Sequence, residues 1–385
     1  MPKRRFIIFL SIVLSVYTLI NVYIFRHGWQ ALPVGSSARE IFLVLYLLLA
    51  PAYVVARFLE RKFLNWFTTL LDWIGAIWLG AMVYFLLAVI SVDILRLINA
   101  VVPFYPTFVT ADYGHAKFII FVAVLCVVGI VVLSGYINAR NPRVKKLELV
   151  VPKQNPQRKE LNIAVASDIH LGTIISNGRL HSIVDKINAL DPDLVLLPGD
   201  VFDEDIGPVI KNNLGEILRK IRSRLGVYAI TGNHEYIGGV EAACNYMTAH
   251  GIKVLRDEAV TVDDTIQIVG REDLSIKGFA GKQRKPLDEL MRGIDKQRPV
   301  ILMDHQPFHL EEAVRNGVDL QLSGHTHHGQ LWPFNFITKK MYEVSWGYKK
   351  KENTHFYVSC GAGTWGPPIR TGNTPEIMHL RLRFA

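Results

Sequence analysis

Residues 161–172 read LNIAVASDIHLG. The run Leu161–Ser167 is short and apolar, suited to a buried strand, and Asp168 and His170 arrive where it ends. Four more stretches repeat the arrangement. Leu194–Leu197 precedes Gly199-Asp200, and Val227–Ile230 precedes Gly232-Asn233-His234-Glu235. Val300–Met303 precedes His305, and Leu320–Leu322 precedes Gly324-His325-Thr326-His327. Helical stretches fall between them near Arg179–Leu190, Pro208–Leu225, Gly239–His250 and Leu310–Asn316. The tail Glu376–Phe384 alternates and reads as a last strand. This alternation predicts an α/β domain in layers around a largely buried sheet. Loops at the carboxyl ends of strands are where such sheets build their sites. Donors more than 150 residues apart in sequence can meet there.

The donors are carboxylate, amide and imidazole without thiolate, a set that favours Mn²⁺, Fe or Zn²⁺ over a soft metal. A central carboxylate can bridge two ions. Two ions about 3.5–4 Å apart can activate water and clamp the oxygens of a phosphoryl group. Singly, each motif has a plainer reading: Asp-x-His as a turn, Gly-Asn-His-Glu as a helix entry. Five such sites of one chemical character, each closing a strand-like run, point to a catalytic two-metal centre.

The N-terminal part has a different character. Half of the 385 residues are hydrophobic. Phe6–Phe25, Trp73–Val92 and Phe118–Ile137 carry no charge, and each is long enough to cross a hydrocarbon core of about 30 Å. Ile41–Ala56 is shorter and contains Pro51, but Arg39 and Arg57 can snorkel at its ends. Four transmembrane helices are expected, with Trp29, Trp66 and Trp73 as interfacial anchors. Gly75 and Gly80 are expected to let helices approach, and Asp72 and Asp93 to be solvated boundary residues. The expected organisation is a membrane domain over residues 1–146, a polar linker over 147–160, and a catalytic domain over 161–385.

The net charge of +9 divides unevenly. Residues 1–146 hold 14 Lys and Arg against 5 Asp and Glu; the remainder holds 29 of each. The basic excess therefore flanks the membrane, which argues against a nucleic-acid partner for the C-terminal part. Lys3, Arg4, Arg5, Arg57, Arg61, Lys62, Arg140, Arg143, Lys145 and Lys146 collect on one side. Only Arg26, Arg39, Arg96 and Lys117 lie on the other. The positive-inside rule then places both termini, and the catalytic domain, in the cytoplasm of a multi-pass inner-membrane protein. Cys126, Cys244 and Cys360 are too scattered for a disulfide framework or zinc knuckle and read as free thiols.

In the order Asp-x-His, Gly-Asp, Gly-Asn-His-Glu, His, Gly-His-x-His, residues 162–381 resemble the calcineurin-like metallophosphoesterases. Gly324–Gln330, Gly361–Thr364, Pro368–Arg370 and Pro375-Glu376 are similar in particular to that family's membrane-associated bacterial phosphodiesterase branch. The resemblance implies a layered β-sandwich flanked by helices. It also implies two divalent metal ions, Mn²⁺ foremost and Fe or Zn²⁺ otherwise. Asp168, His170 and His327 would hold the first and Asn233, His305 and His325 the second, with Asp200 bridging. His234 would act on the phosphate as a hydrogen-bond donor or general acid. His328 stands where the branch usually shows glycine. It and Arg370 are candidate substrate contacts, while Glu235 reads as structural.

The protein Ser/Thr phosphatases carry two phosphate-gripping arginines where Glu204 and Thr231 stand here, which argues against a phosphoprotein monoesterase. The expected activity is hydrolysis of a phosphodiester or pyrophosphate, with a lipid-linked phosphoester as substrate. Trp332, Phe334, Phe336, Trp346, Tyr348 and Trp365 could form an apolar lip or stack a base. An anchored phosphodiesterase for soluble cyclic nucleotides is the competing enzyme reading. A non-catalytic metal-binding scaffold is the competing reading from another class, and the full ligand set with His234 speaks against it.

Overall fold

The computed structural model describes residues 3–60, 62–153, 155 and 158–385. Arg61, counted above for topology, lies outside the described residues, as do Gln154, Pro156 and Gln157 of the expected linker. The chain divides into two compact units. One is Met1–Tyr136 with Gly366–Ile369, and the other is Ile137–Trp365 with Arg370–Ala385.

The first unit is helical: α1 (Lys3–Ala31), α2 (Ser37–Glu60), α3 (Trp66–Val101), α4 (Thr107–Ala111) and α5 (Tyr113–Ala139), the last running on into the second unit. Four of these, α1, α2, α3 and α5, are long and apolar enough to cross a membrane. The segment read as Ile41–Ala56 is the middle of the 24-residue α2, with Pro51 inside it. At about 1.5 Å per residue that helix rises about 36 Å. The Asn65 side chain accepts from the Thr68 amide and the Thr68 hydroxyl accepts from the Asn65 amide, so a reciprocal cap starts α3. Gly75 lets α3 cross α2 closely, because a Cβ there would strike the Tyr53 backbone. Buried Asn21 ties three helices together: its Oδ1 accepts from Trp78 Nε1 (3.1 Å) and its carbonyl from the Tyr46 hydroxyl (2.7 Å). Asp72 departs from the expected solvated boundary residue. It is buried, with the Arg57 guanidinium 3.9 Å away, because Arg57 folds back along α2 toward α3.

The second unit contains β1 (Arg143–Val151), β2 (Glu160–Val165), β3 (Leu194–Pro198), β4 (Val227–Ile230), β5 (Ile252–Val254), β6 (Glu258–Val262), β7 (Ile266–Gly270), β8 (Val300–Met303), β9 (Leu320–Ser323), β10 (Gly347–Lys351), β11 (Thr354–Val358) and β12 (Glu376–Phe384). They form two six-stranded sheets, ordered β1-β12-β2-β3-β4-β5 and β10-β11-β9-β8-β7-β6. Strands β2 to β5 run parallel, as do β7, β8, β9 and β11. Alternate residues point to one face of a strand. Ile163, Val165, Leu194 and Leu196 of the first sheet accordingly meet Ile266, Ile268, Ile301, Met303, Leu320 and Leu322 of the second in one core. The other face of the second sheet packs Val269, Val300, Leu302 and Phe356 against helical residues Leu287, Leu290, Leu310 and Ala313. Helices Asn177–Asn188 and Val240–Ala249 contact β12 and β5. The domain is a β-sandwich with helices outside, as the resemblance implied.

Two expectations are corrected. The polar linker over 147–160 is in part β1, paired in parallel with β12 from Arg143–Glu376 to Val151–Phe384. Leu149 and Val151 point into the core, and Glu148 before them with Lys153, Arg158, Lys159 and Glu160 after them gave the stretch its polar composition. Pro208–Leu225 is not one helix. It holds Gly207–Lys211 and Gly215–Leu218, separated where Asn213 takes a φ of 53°.

Candidate metal centre

Strands β2, β3 and β4 are neighbours in one sheet and β8 and β9 in the other, so the five motif loops converge from both sheets. Asp168, His170 and His327 form one group, with one ligand atom from each all within 4.8 Å of one another. His170 Nε2 faces His327 Nε2 at 2.9 Å, and His327 Nε2 lies 3.5 Å from Asp168 Oδ1. Asp200, His305 and His325 form a second group by the same measure. His305 Nε2 is 3.0 Å from Asp200 Oδ2. Asn233 Oδ1 joins this group, 2.8 Å from His325 Nδ1 and 3.3 Å from His305 Nε2. Asp200 Oδ2 is also 3.9 Å from His170 Nε2, so this carboxylate touches both groups.

The backbone pre-orients these donors. Asp168, His170, Asp200, His325 and His327 all have positive φ, between 44° and 70°. Asp, Asn and His tolerate that region better than most residues, yet each instance costs about 1–3 kcal/mol. Hydrogen bonds hold the loops in place. Asp168 Oδ1 accepts from the His325 amide at 2.8 Å, and Asp200 Oδ1 accepts from the His234 amide at 2.9 Å. His305 Nδ1 donates to the Pro198 carbonyl at 2.8 Å, which leaves Nε2 aimed at Asp200. Buried Glu235 accepts from the amides of Asp200 (3.1 Å), Phe202 (3.0 Å) and Gly232 (2.7 Å). The motif glycines admit the carboxylates: a Cβ on Gly232 would run into Asp200, and one on Gly324 into Asp168.

His234 forms a third such group with Asp203 and with His170 of the first. Its Nδ1 lies 3.2 Å from Asp203 Oδ1, and its ring meets the His170 ring edge-on. Burial pulls the His234 imidazolium down, but the carboxylates of Asp200 and Asp203 outweigh it and hold its pKa up to about 9. Asp203 is a candidate that strand-end reasoning passed over. It follows Phe202, which bridges to Leu171, and lies three residues after Asp200 with no apolar run to announce it.

Arg370 and His328 do not occupy the places expected of substrate contacts. Arg370 has 0% exposure, and its guanidinium donates to the carbonyls of Cys360 (2.7 Å) and Gly363 (2.7 Å) and faces His327 Nδ1 at 3.1 Å. It braces the His327 loop from beneath. His328 is buried against the Trp346 ring, with Nδ1 3.0 Å from the Ser345 hydroxyl. The glycine-for-histidine exchange at 328 is thus absorbed by packing.

The residues fit a metal centre. Asp168 Oδ2 is buried without a hydrogen-bond partner among the described residues. Burial pushes Asp168 up to about 6, and burial with the neighbouring His234 pushes His170 down to about 3. Burial and His305 likewise push His325 down to about 4. The imidazoles of His170, His325 and His327, held neutral beside carboxylates, make a donor set for divalent cations, while at His305 burial is outweighed by Asp200, which pushes its pKa up until a cation takes the proton's place.

A model of the family described as calcineurin-like phosphoesterase matches residues 161–329. An uncharacterized metallophosphoesterase of Helicobacter pylori strain J99 is 33% identical over 252 residues, covering 64% of this chain and 65% of that protein. One from Campylobacter jejuni is 29% identical over 386 residues, covering 98% of this chain and 99% of that protein. One from Aquifex aeolicus is 31% identical over 243 residues, covering 63% of this chain and 92% of that protein. The chain thus spans about two thirds of the length of the Helicobacter relative it matches.

Proposed function

The chain belongs to the calcineurin-like phosphoesterases, and we propose that it is a membrane-anchored, metal-dependent hydrolase of phosphodiester or pyrophosphate bonds. The observation that carries this reading is the pair of donor groups joined through Asp200. Asp168, His170 and His327 would hold one divalent ion and Asn233, His305 and His325 the other, with Asp200 between them. Mn²⁺ is favoured over Fe or Zn²⁺. Bound there, two such ions supply an activated water and charge neutralisation at the phosphoryl oxygens. His234 donates its Nε2 proton to a phosphoryl or leaving-group oxygen, and Asp203 at Nδ1 orients the ring and sustains its charge.

Two features bear on the substrate. Thr231 stands where a phosphatase would carry an arginine, and its hydroxyl is buried against Glu272 at 3.1 Å, which offers nothing to a phosphomonoester dianion. The Trp365 ring lies 6.2 Å from the His234 ring, and the Tyr342 ring 6.2 Å from the His325 ring. Trp332, Phe334, Phe336, Ile337, Met341 and Trp365 are exposed large apolar residues, and Lys339 and Lys340 are exposed among them. That mixture of aromatics and lysines suits an anionic lipid interface. A lipid-linked phosphoester is therefore the favoured substrate, reached from the cytoplasmic face. Trp365 would equally stack a base, which leaves soluble cyclic nucleotides as the second reading.

The test uses the purified full-length chain, a lipid panel and a nucleotide panel. His234→Ala should keep its metal while kcat on a poor leaving group falls roughly 10²–10⁴-fold. A nitrophenyl ester should be less affected, since its leaving group needs no proton. Asp200→Asn should lose metal and activity together. Metal loss in His234→Ala would make His234 a ligand, and full rate on the poor leaving group would remove it from catalysis. Turnover confined to nucleotides would displace the lipid reading.

A further inference from the structure

The helical unit encloses a cavity of about 550 Å³. That is within the range of about 300–1,000 Å³ found for ligand sites. Its wall is apolar and drawn from all five helices, with Ile24 of α1, Leu49 of α2, Phe85 of α3, Val109 of α4 and Val124 of α5 among the lining residues. Its polar lining is uneven in sign. Arg96, Lys117 and His27 line it, and no Asp or Glu does.

The two permanent cations converge. The Arg96 guanidinium lies 5.7 Å from the centroid of the Tyr113 ring, and the Lys117 ammonium 5.4 Å from the same centroid. Asp93 lies close by, outside the lining. It accepts from the Tyr23 hydroxyl (2.6 Å) and faces His27 Nε2 (3.0 Å) and the Arg96 guanidinium (3.3 Å). Its single charge is therefore shared among three donors. Lys117 has no carboxylate within 4.0 Å among the described residues, so one cation at the cavity mouth is uncompensated.

We propose that this cavity binds a membrane lipid, with its acyl chain between the helices and its anionic phosphate headgroup at Arg96 and Lys117. An apolar cavity of this size does not hold water, because its wall offers few polar partners. It faces hydrocarbon instead. A chain that leaves the bilayer for the cavity gains little by burial, since lipid tails are as apolar as the wall. Selection must come from the headgroup, so the site prefers anionic over zwitterionic lipids. A cation near the membrane surface favours an anionic partner by roughly 5-fold. Two of them give a preference on the order of 10–30-fold. This site is separate from the metal centre and stands whether or not the proposed hydrolysis is correct.

Native mass spectrometry of the full-length chain in detergent tests it. Phosphatidylglycerol and phosphatidylcholine with the same acyl chains are titrated in competition. The expected result is one retained phosphatidylglycerol per chain, preferred at least about 10-fold. Lys117→Gln disturbs no ion pair and should reduce the preference about 5-fold. Arg96→Gln with Lys117→Gln should abolish it. Val124→Trp narrows the cavity and should weaken retention of the bound lipid, while a thermal melt confirms that each variant is folded. Equal retention of the two lipids by the unmodified chain overturns the proposal. So does a folded Val124→Trp variant that keeps its phosphatidylglycerol with undiminished affinity, since the lipid would then not use the cavity.

Discussion

Replacing Glu235 by alanine isolates the scaffolding of the metal centre from its chemistry. Glu235 offers no ligand atom to either donor group, yet its carboxylate accepts from three amides belonging to two motif loops. The Asp200 amide is one of them, and Asp200 sits at a φ of 51° that its loop must enforce. Each hydrogen bond to a charged group contributes about 1.5–3 kcal/mol. Two effects reduce the sum. Burial, with Asp200 nearby, already pushes the Glu235 carboxyl up to about 7, so the carboxylate is held at a cost. Water entering the space left by alanine also satisfies part of what is lost. A net loss of about 3–5 kcal/mol remains, a large share of the roughly 5–15 kcal/mol typical of a folded protein. For a unit of this size, 1 kcal/mol moves Tm by about 2–4 °C. Glu235→Ala should therefore melt roughly 6–20 °C lower in a fluorescence-monitored thermal ramp of the full-length protein. Glu235→Gln keeps the shape and one acceptor and should lose about half as much. A Glu235→Ala variant that melts within about 2 °C of the unmodified chain would refute the reasoning, because three buried amides cannot be orphaned so cheaply.

Two further outcomes follow from the site and the helices. Chelation should abolish turnover of a generic phosphodiester, and Mn²⁺ should restore it better than Mg²⁺, whose preference for an octahedral shell of waters suits imidazoles poorly; undiminished turnover by metal-free protein would end the two-metal reading. A reporter fused after Ala385 should be active only in a form that works in the cytoplasm, and activity of an extracytoplasmic reporter would overturn the inward orientation.

The candidate ligand positions were legible because metal chemistry constrains both residue type and place. A donor must be Asp, Asn or His, and it must follow a strand that ends at the site. Leu194–Pro198 and Val300–Met303 announced themselves as continuous apolar runs, fully buried on both faces. Apart from Glu376–Phe384, the strands that carry no ligand did not. Glu258–Val262 and Gly347–Lys351 mix exposed with half-buried positions, and they form the two edges of the second sheet. An edge strand needs only one apolar face, and a Lys-rich one discourages pairing with other chains. Its composition therefore resembles a loop. The same reasoning explains β1, whose lysines masked a nine-residue pairing with β12.

Substrate contacts were harder to read for a different reason. An arginine in a Gly- and Pro-rich loop looks exposed from sequence, because such loops run over surfaces. Arg370 is instead drawn inward by carbonyls that the Cys360–Gly363 turn leaves unpaired. A guanidinium offers five donors and cannot be deprotonated, so a buried turn rich in carbonyls can use one where lysine could not reach them all. His327 also leans on it, at 3.1 Å. The pull of carbonyl groups on Arg370, from 7 and 10 residues away, and of Asp203 on His234, from 31 residues away, reaches beyond neighbouring residues, and no local pattern encodes it. What local pattern does encode is tolerance. Aspartate and histidine can take the left-handed backbone at 168, 170, 200, 325 and 327, where β-branched residues could not. The residues that offer lone pairs to a cation are the ones able to bend the chain so that those lone pairs converge.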